Sequence, residues 1–562
     1  MNLRSLLAAA AVSATTLSLA VPINTADATP SVSGKRVQYS VLADAGASNA
    51  QVRAAIEAAG GTVVAANDAV GLYQVSAPEH GFAEAVSSRA GIQGAAHQRI
   101  VGRAPQTPRA DVEHVARGAG APSAHSSRRH HGRPGRSLDP LDGDNWGLSM
   151  VKADKARRFQ DGDHRVTVGI IDTGVDASHP DIAPNFDWRL SRNFVTDMPD
   201  IDGATCEFSS CKDPVGWDDG AHGTHVAGII GAAANGIGTS GVAPGVTLVE
   251  DRAGQDSGYF FLQPTVDALT YAGDAGLDVV NMSFYVDPWL YNCTANPADT
   301  PEQQAEQRTI IAAVQRALNY AHRKGVTMVS ALGNEHSDLG NPPTDTTSPD
   351  YGEDPHPRPI DNASCLSMPT EGSHVIGVSA LGSSGRKAYY SNWGTEQISV
   401  AAPGGDYYDP AATGAIQQPG NLILSAYPKN VGIAEGTIDP TTGDIIDDSG
   451  SYLKDCDSRG RCGYYQYLQG TSMASPFAAG VAALIVSEYG RPGRHHSFGL
   501  DPDITERVLT RSADETACPA PVYVYPAPIP ASYTANCDGT KEFNGFYGHG
   551  IVDALAAVTR RH

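Results

Sequence analysis

The sequence predicts an α/β protein in which a small α+β unit precedes one large domain built on a parallel sheet. Three observations carry this. Short β-branched runs, Val166–Ile171, Val326–Ala331 and Val375–Ala380, alternate with helical patterns from about Asp144 onward, as buried parallel strands do. Residues Gly34 to Gly102 read β-α-β-β-α-β, the order of a ferredoxin-like sandwich. Between the two, from Ala104 to Asp139, Pro, Gly, Ser, Arg and His replace apolar residues, the composition of a solvated linker whose Arg residues also offer cleavage points.

The elements of the front unit follow in order. Val37, Tyr39 and Val41 alternate with polar neighbours, a strand. Ser48 with Gln51 three residues on forms a capping-box pattern, opening a helix through Val52, Ala55, Ile56 and Ala59 that Gly60-Gly61 stops. Two strands are expected at Thr62–Ala66 and Val70–Val75, a helix at Gly81–Ala90, and a last strand at Gln98–Val101.

Ahead of this unit, Arg4, the apolar stretch Leu6–Val21 and Ala26-Asp27-Ala28 have the order of an export signal. The expected organisation is therefore a signal peptide at 1–28, a front unit at 29–103, a linker at 104–140 and the large domain at 141–562. Export agrees with eight cysteines, an even count that favours disulfides over zinc because no CxxC is present. Cys206/Cys211 and Cys456/Cys462 are closely spaced, Cys518 and Cys537 flank a Pro-rich loop, and Cys293 and Cys365 remain; sequence alone does not fix the pairing. The formal charge of −22 excludes nucleic acid as the main partner, and it is uneven: residues 1–140 carry +4 and the rest −26. No internal stretch reads as a membrane span, and a monomer is expected.

Three islands carry the chemistry: Gly169-Ile-Ile-Asp172-Thr-Gly, His222-Gly-Thr-His-Val-Ala-Gly228, and Gly470-Thr-Ser472-Met-Ala-Ser-Pro476. A Ser hydroxyl is a weak nucleophile until an imidazole takes its proton, and the imidazole needs a carboxylate to fix its tautomer. Asp172 ends a buried strand, where active-site groups of open α/β sheets gather. His222 and Ser472 each open an Ala/Gly-rich helix, and Pro476 is expected in the first turn or so of its helix, where a missing N–H is best tolerated.

The order Asp…His…Ser with these motifs resembles the subtilisin-like serine proteases. Trp146-Gly-Leu-Ser-Met resembles the start of the family's catalytic domain and Tyr547-Gly-His-Gly-Ile its close. The resemblance implies a doubly wound parallel sheet, a secreted serine endopeptidase acting on protein or peptide substrates, and a front unit that serves as inhibitory propeptide. It implies that Asp172 orients, His222 is general base and acid, and Ser472 is the nucleophile. Asn334, in Ala331-Leu-Gly333-Asn334, becomes the oxyanion donor, with Gly333 and Ser283 lining the substrate site. Activity is then expected to fall in acid as His222 protonates. Asp181 and Asn235, with the carbonyls of Ala233, Ile237 and Thr239, match the family's structural calcium loop; catalysis itself needs no cofactor. His225, Asp176 and His179 read as structural.

The chain also departs from the family. After Asn281-Met-Ser283 the bulky Phe284-Tyr285-Val-Asp-Pro-Trp289 stands where a small residue and Gly are usual, and is expected to narrow or reshape the specificity pocket. An insertion from Asp406 to Tyr467 is expected to wall the cleft. Both favour, as the alternative, a processing protease for one partner protein; a non-catalytic binding protein on the same scaffold is the more distant one.

Overall fold

The computed structural model describes residues 35–98, 139–350, 354–492 and 498–560. The expected signal segment and nearly all of the expected linker lie outside them. The front unit comprises β1 (Arg36–Ala43), α1 (Asn49–Ala58), β2 (Thr62–Asn67), β3 (Leu72–Pro78), α2 (Phe82–Ser87) and β4 (Ile92–Gln98). Its four strands form an antiparallel sheet in the order β2-β3-β1-β4. Tyr39, Val41, Val52, Ile56, Val75 and Phe82 make its core.

Two details differ from the sequence reading. Ser48 does accept the N–H of Gln51, at 3.3 Å, but the Gln51 side chain donates onward to the Ala90 carbonyl instead of returning to the cap. The last strand begins at Ile92, six residues before the expected Gln98. Helix α2 ends at Ser87, Gly91 turns the chain at φ +91°, and the following residues pair with β1 at once. Gly94, Ala95 and Ala96 have too little side chain to show the alternation by which a strand is recognised.

The large domain is built on seven strands, β5 (Thr167–Ile171), β6 (Arg192–Asn193), β7 (Thr247–Arg252), β8 (Val279–Met282), β9 (Thr327–Ala331), β10 (Val375–Leu381) and β11 (Val400–Pro403). All pair in parallel, in the order β11-β10-β9-β8-β5-β7-β6. From β5 the chain leaves to one side for β6 and β7, then to the other for β8 to β11. The carboxyl end of β5 is therefore the crossover point at which open α/β sheets place their sites, and Asp172 is the next residue.

Four helices matter for function: α3 (His222–Gly231), α4 (Leu262–Ala275), α5 (Pro301–Lys324) and α6 (Thr471–Tyr489). Among the described residues α6 is the one helix long and apolar enough to cross a membrane, yet 94% of its apolar window is buried inside the protein. It is the core helix of the domain, packed against α3 and the sheet. The insertion before it folds into a three-stranded antiparallel sheet of β12 (Ile423–Ala426), β13 (Tyr452–Cys456) and β14 (Cys462–Leu468).

The front sheet lies on α4 and α5. Leu42, Val70 and Leu72 join the apolar cluster of Val266, Ile310, Val314 and Leu318. Arg316 of α5 donates to the carbonyls of Ala43 at 2.8 Å and Val70 at 3.0 Å. Asn67 donates to Asp267 and Thr270 of α4 at 2.8 and 2.7 Å. All eight cysteines are paired: Cys206–Cys211, Cys293–Cys365, Cys456–Cys462 and Cys518–Cys537.

Candidate active site

Asp172 is fully buried, and its Oδ1 lies 2.7 Å from Nδ1 of His222, the first residue of α3. The same oxygen accepts the N–H of Thr173 at 2.8 Å, while the Asp172 carbonyl accepts the N–H groups of Ala253 and Gly254. Side chain and backbone of the carboxylate are thus both fixed. A carboxylate on Nδ1 fixes the tautomer in which Nε2 is the nitrogen that takes a proton.

One residue that sequence reading missed sets the helix start. Asp218, buried beneath it, accepts N–H groups of Gly220, Ala221 and Thr224 and the hydroxyls of Thr173 and Thr224. It caps α3 from outside the helix, so His222 needs no cap of its own. Burial pushes its carboxyl above the ordinary range. In sequence, Trp217-Asp218-Asp219-Gly220 reads only as a turn.

Ser472 is the second residue of α6, and its N–H is among those a helix start leaves unpaired. Its hydroxyl donates to the Ser283 carbonyl at 3.3 Å, and the Ser283 hydroxyl donates to the Ser472 carbonyl at 3.2 Å. Pro476 explains the second bond. It stands at the sixth helical position, just past the first turn, and lacks the N–H that would bond the carbonyl of residue 472. The Ser283 hydroxyl replaces it.

Asn334 and Gly333 follow β9. The Asn334 oxygen accepts both the N–H and the hydroxyl of Thr471, at 2.8 and 2.9 Å. That assigns the amide orientation and turns Nδ2 away from Thr471. Gly333 donates to the Thr471 hydroxyl at 3.1 Å and adopts φ +107°, a conformation that favours glycine.

The bulky segment after Ser283 is turned inward. Phe284 stacks on Phe260 with ring centroids 4.0 Å apart, and Trp289 is buried beneath the Arg358 guanidinium. Their bulk is absorbed by the core. The insertion, expected to wall the cleft, braces α3: Ser425 donates to the His225 carbonyl, and the rings of His225 and His179 bond the carbonyls of Gln466 and Tyr464, each at 3.0 Å. Burial pushes His179 down, consistent with a neutral ring that donates from Nε2. Asp176 accepts the N–H and hydroxyl of Ser178.

Asp181 and Asn235 are brought together through a hydrogen bond between their side chains. Asp181 accepts the Asn235 amide at 3.1 Å and the buried Tyr465 hydroxyl at 2.7 Å, and the Asn235 oxygen accepts the N–H of Ile237. The side-chain oxygens expected to face calcium are thus each engaged by a proton donor of the chain. Acidic groupings elsewhere, Asp197/Glu207/Asp213 and Glu207/Asp219/Asp256, bring carboxylate oxygens within 4.8 Å of one another and are compatible with a cation.

A Ser hydroxyl at a helix start, an imidazole on a buried carboxylate and an oriented amide beside them are the parts of a serine hydrolase. The chain belongs to the subtilase family, peptidase S8, whose model matches residues 163–550. It is a serine-type endopeptidase of that family. It is 28% identical over 344 residues to subtilisin DY of Bacillus licheniformis, covering 61% of this chain and 85% of that protein. Thermitase of Thermoactinomyces vulgaris is 25% identical over 346 residues, covering 61% and 82%. Among solved structures, the epidermin leader peptide processing serine protease of Staphylococcus aureus superposes with a TM-score of 0.59 at 19% identity, over 94% of this chain and all of that one. At that identity the likeness shows the fold.

Proposed function

We propose that the protein is exported as a self-inhibited precursor and hydrolyses peptide bonds through Ser472, His222 and Asp172. The observation that carries this is the 2.7 Å bond between buried Asp172 and His222. His222 takes the Ser472 proton as Oγ attacks the scissile carbonyl, and Asp172 stabilises the imidazolium. Nδ2 of Asn334 and the N–H of Ser472 bind the oxyanion. His222 then protonates the leaving amine, and water attacks the acyl-enzyme by the same route in reverse. Each step uses groups of this chain.

Residues 29–103 are the propeptide on this reading. Support comes from the antiparallel sheet seated on α4 and α5, with Arg316 and Asn67 bonding across. Export is supported by the signal-like start and by four disulfides.

The test is export of wild type beside Ser472→Ala, with mass and N-terminal sequence of each product. Self-processing predicts that wild type alone loses its first hundred-odd residues. Equal trimming of both forms refutes self-removal.

A narrow specificity is the second reading, favoured by Asn430 of the insertion. It donates to the Asp218 carbonyl and to Asp219, placing the insertion against the loop that leads into His222. A narrow enzyme cuts few sites in denatured casein; a general one degrades it throughout.

A further inference from the structure

We propose that Asn392 is the positioning residue for Asn334, holding the peptide on both sides of the oxyanion donor; this rests on the oxyanion role assigned above. The residues after β9, Leu332 to Ser337, belong to no helix or strand. They run beside residues 390–393 through three backbone bonds: Asn392 to the Gly333 carbonyl at 2.9 Å, His336 to the Tyr390 carbonyl at 2.7 Å, and Trp393 to the Ser337 carbonyl at 3.0 Å.

The Asn392 side chain completes the clamp. Its oxygen accepts the N–H groups of Glu335 at 3.1 Å and Ser337 at 2.8 Å. Its amide donates to the Leu332 carbonyl at 3.1 Å and to Glu335 Oε2 at 2.7 Å. An amide has two acceptor sites and two donors, and all four are used. The partners flank Asn334 and omit it, so the donor is held in place with its own amide left to Thr471. Asn392 is 2% exposed, which leaves water little room to substitute.

Gly333 belongs to the same arrangement. A Cβ there would meet the Asn392 amide nitrogen at 2.3 Å, so Asn392 fills the space a side chain would take. The anchor itself is rooted in the sheet: the Ser391 hydroxyl donates to the Asn392 carbonyl at 2.9 Å and accepts the N–H of Ala380 in β10 at 3.0 Å. Buried Lys387 holds the Ser391 and Ala388 carbonyls. Neither Asp nor Ser reproduces the four bonds: Asp sets a carboxylate against Glu335, and Ser is too short.

Oxyanion stabilisation depends on a donor standing where charge develops, and displacement by about 1 Å costs up to about 100-fold in rate. Loosening the clamp therefore lowers turnover and spares binding. The test compares wild type, Asn392→Ala, Asn334→Ala and the double variant as matured enzyme, with active sites counted by fluorophosphonate titration so that misfolded protein drops out. Asn392→Ala is expected to lower kcat about 10- to 100-fold with KM within twofold, and the double variant to be no slower than Asn334→Ala alone. Multiplying losses in the double variant overturn the proposal, because Asn392 then acts elsewhere. If Asn334→Ala leaves kcat unchanged, the oxyanion reading itself fails and the proposal with it. Should Asn392→Ala yield no folded enzyme, Asn392→Ser enters the same cycle under the same criteria.

Discussion

Ser472 and Ser283 hold one another through two hydrogen bonds that run in opposite directions, hydroxyl to carbonyl each way, at 3.3 and 3.2 Å. The second exists because Pro476 withholds the helical N–H. Ser283→Ala leaves a buried carbonyl unpaired, at a cost of about 1–3 kcal/mol. In a Ser472→Ala background, which prevents self-digestion, its thermal midpoint is expected to fall by several degrees. Adding Pro476→Ala returns the N–H and recovers part of the loss; an equal or larger loss in the double variant rejects the link.

Thr471 sets the orientation of Asn334 through two bonds to one oxygen. Thr471→Val keeps the shape and the N–H but removes the hydroxyl. One hydrogen bond contributes about 1 kcal/mol, so kcat is expected to fall about fivefold with KM unchanged. Removing the donor with Asn334→Ala falls in the range of about 100- to 1000-fold, a magnitude already known for the subtilisins themselves. Steady-state kinetics on a peptide substrate separates the two.

Acid destabilises this loop through His336, two residues past Asn334. Burial, with Lys387 close by, pushes its imidazole down to about 4. The ring is then neutral in the folded chain while an unfolded chain binds a proton below about pH 6.5, so the unfolded state holds more protons between those values. The stability present above about pH 6.5 is lost as pH falls toward 4. His336→Asn removes the titration and suits the positive φ of 52°. The difference in thermal midpoint between wild type and variant should shift against wild type as pH falls from 7 to 4.5; a constant difference excludes His336 as the cause.

The four disulfides differ in the loops they close. Cys293–Cys365 spans 72 residues, and Cys206–Cys211 only 5. Restricting the unfolded chain is worth about 4 kcal/mol for the long loop and about half that for the short one. The double Ala variant at 293 and 365 should accordingly unfold at markedly lower denaturant than the one at 206 and 211. Equal midpoints would show that strain or residual structure governs instead.

The positions of Asp172, His222 and Ser472 are legible because each follows a local rule: a carboxylate just past a buried strand, and a His and a Ser opening helices beside glycines. Strand β4 was misplaced because Gly94-Ala-Ala96 carries no alternation; pairing with β1 makes it a strand. Thr471, Asp218 and Asn392 escaped notice since each acts through contacts with distant or turn residues, which spacing does not encode. The stacking of Phe284 is not legible in the sequence, because the Phe260 ring that receives it is 24 positions away. Asp181 and Asn235 were rightly brought together, while the hydroxyl meeting them belongs to Tyr465, in a strand of the insertion.

Activation of Ser472 by His222 can be read out chemically by fluorophosphonate labelling of the exported chain followed by peptide mass mapping. Wild type should yield a single modified peptide carrying Ser472, with labelling slowed by orders of magnitude in His222→Ala and absent in Ser472→Ala. A wild-type chain that stays unlabelled, or a label that persists in Ser472→Ala, would contradict it.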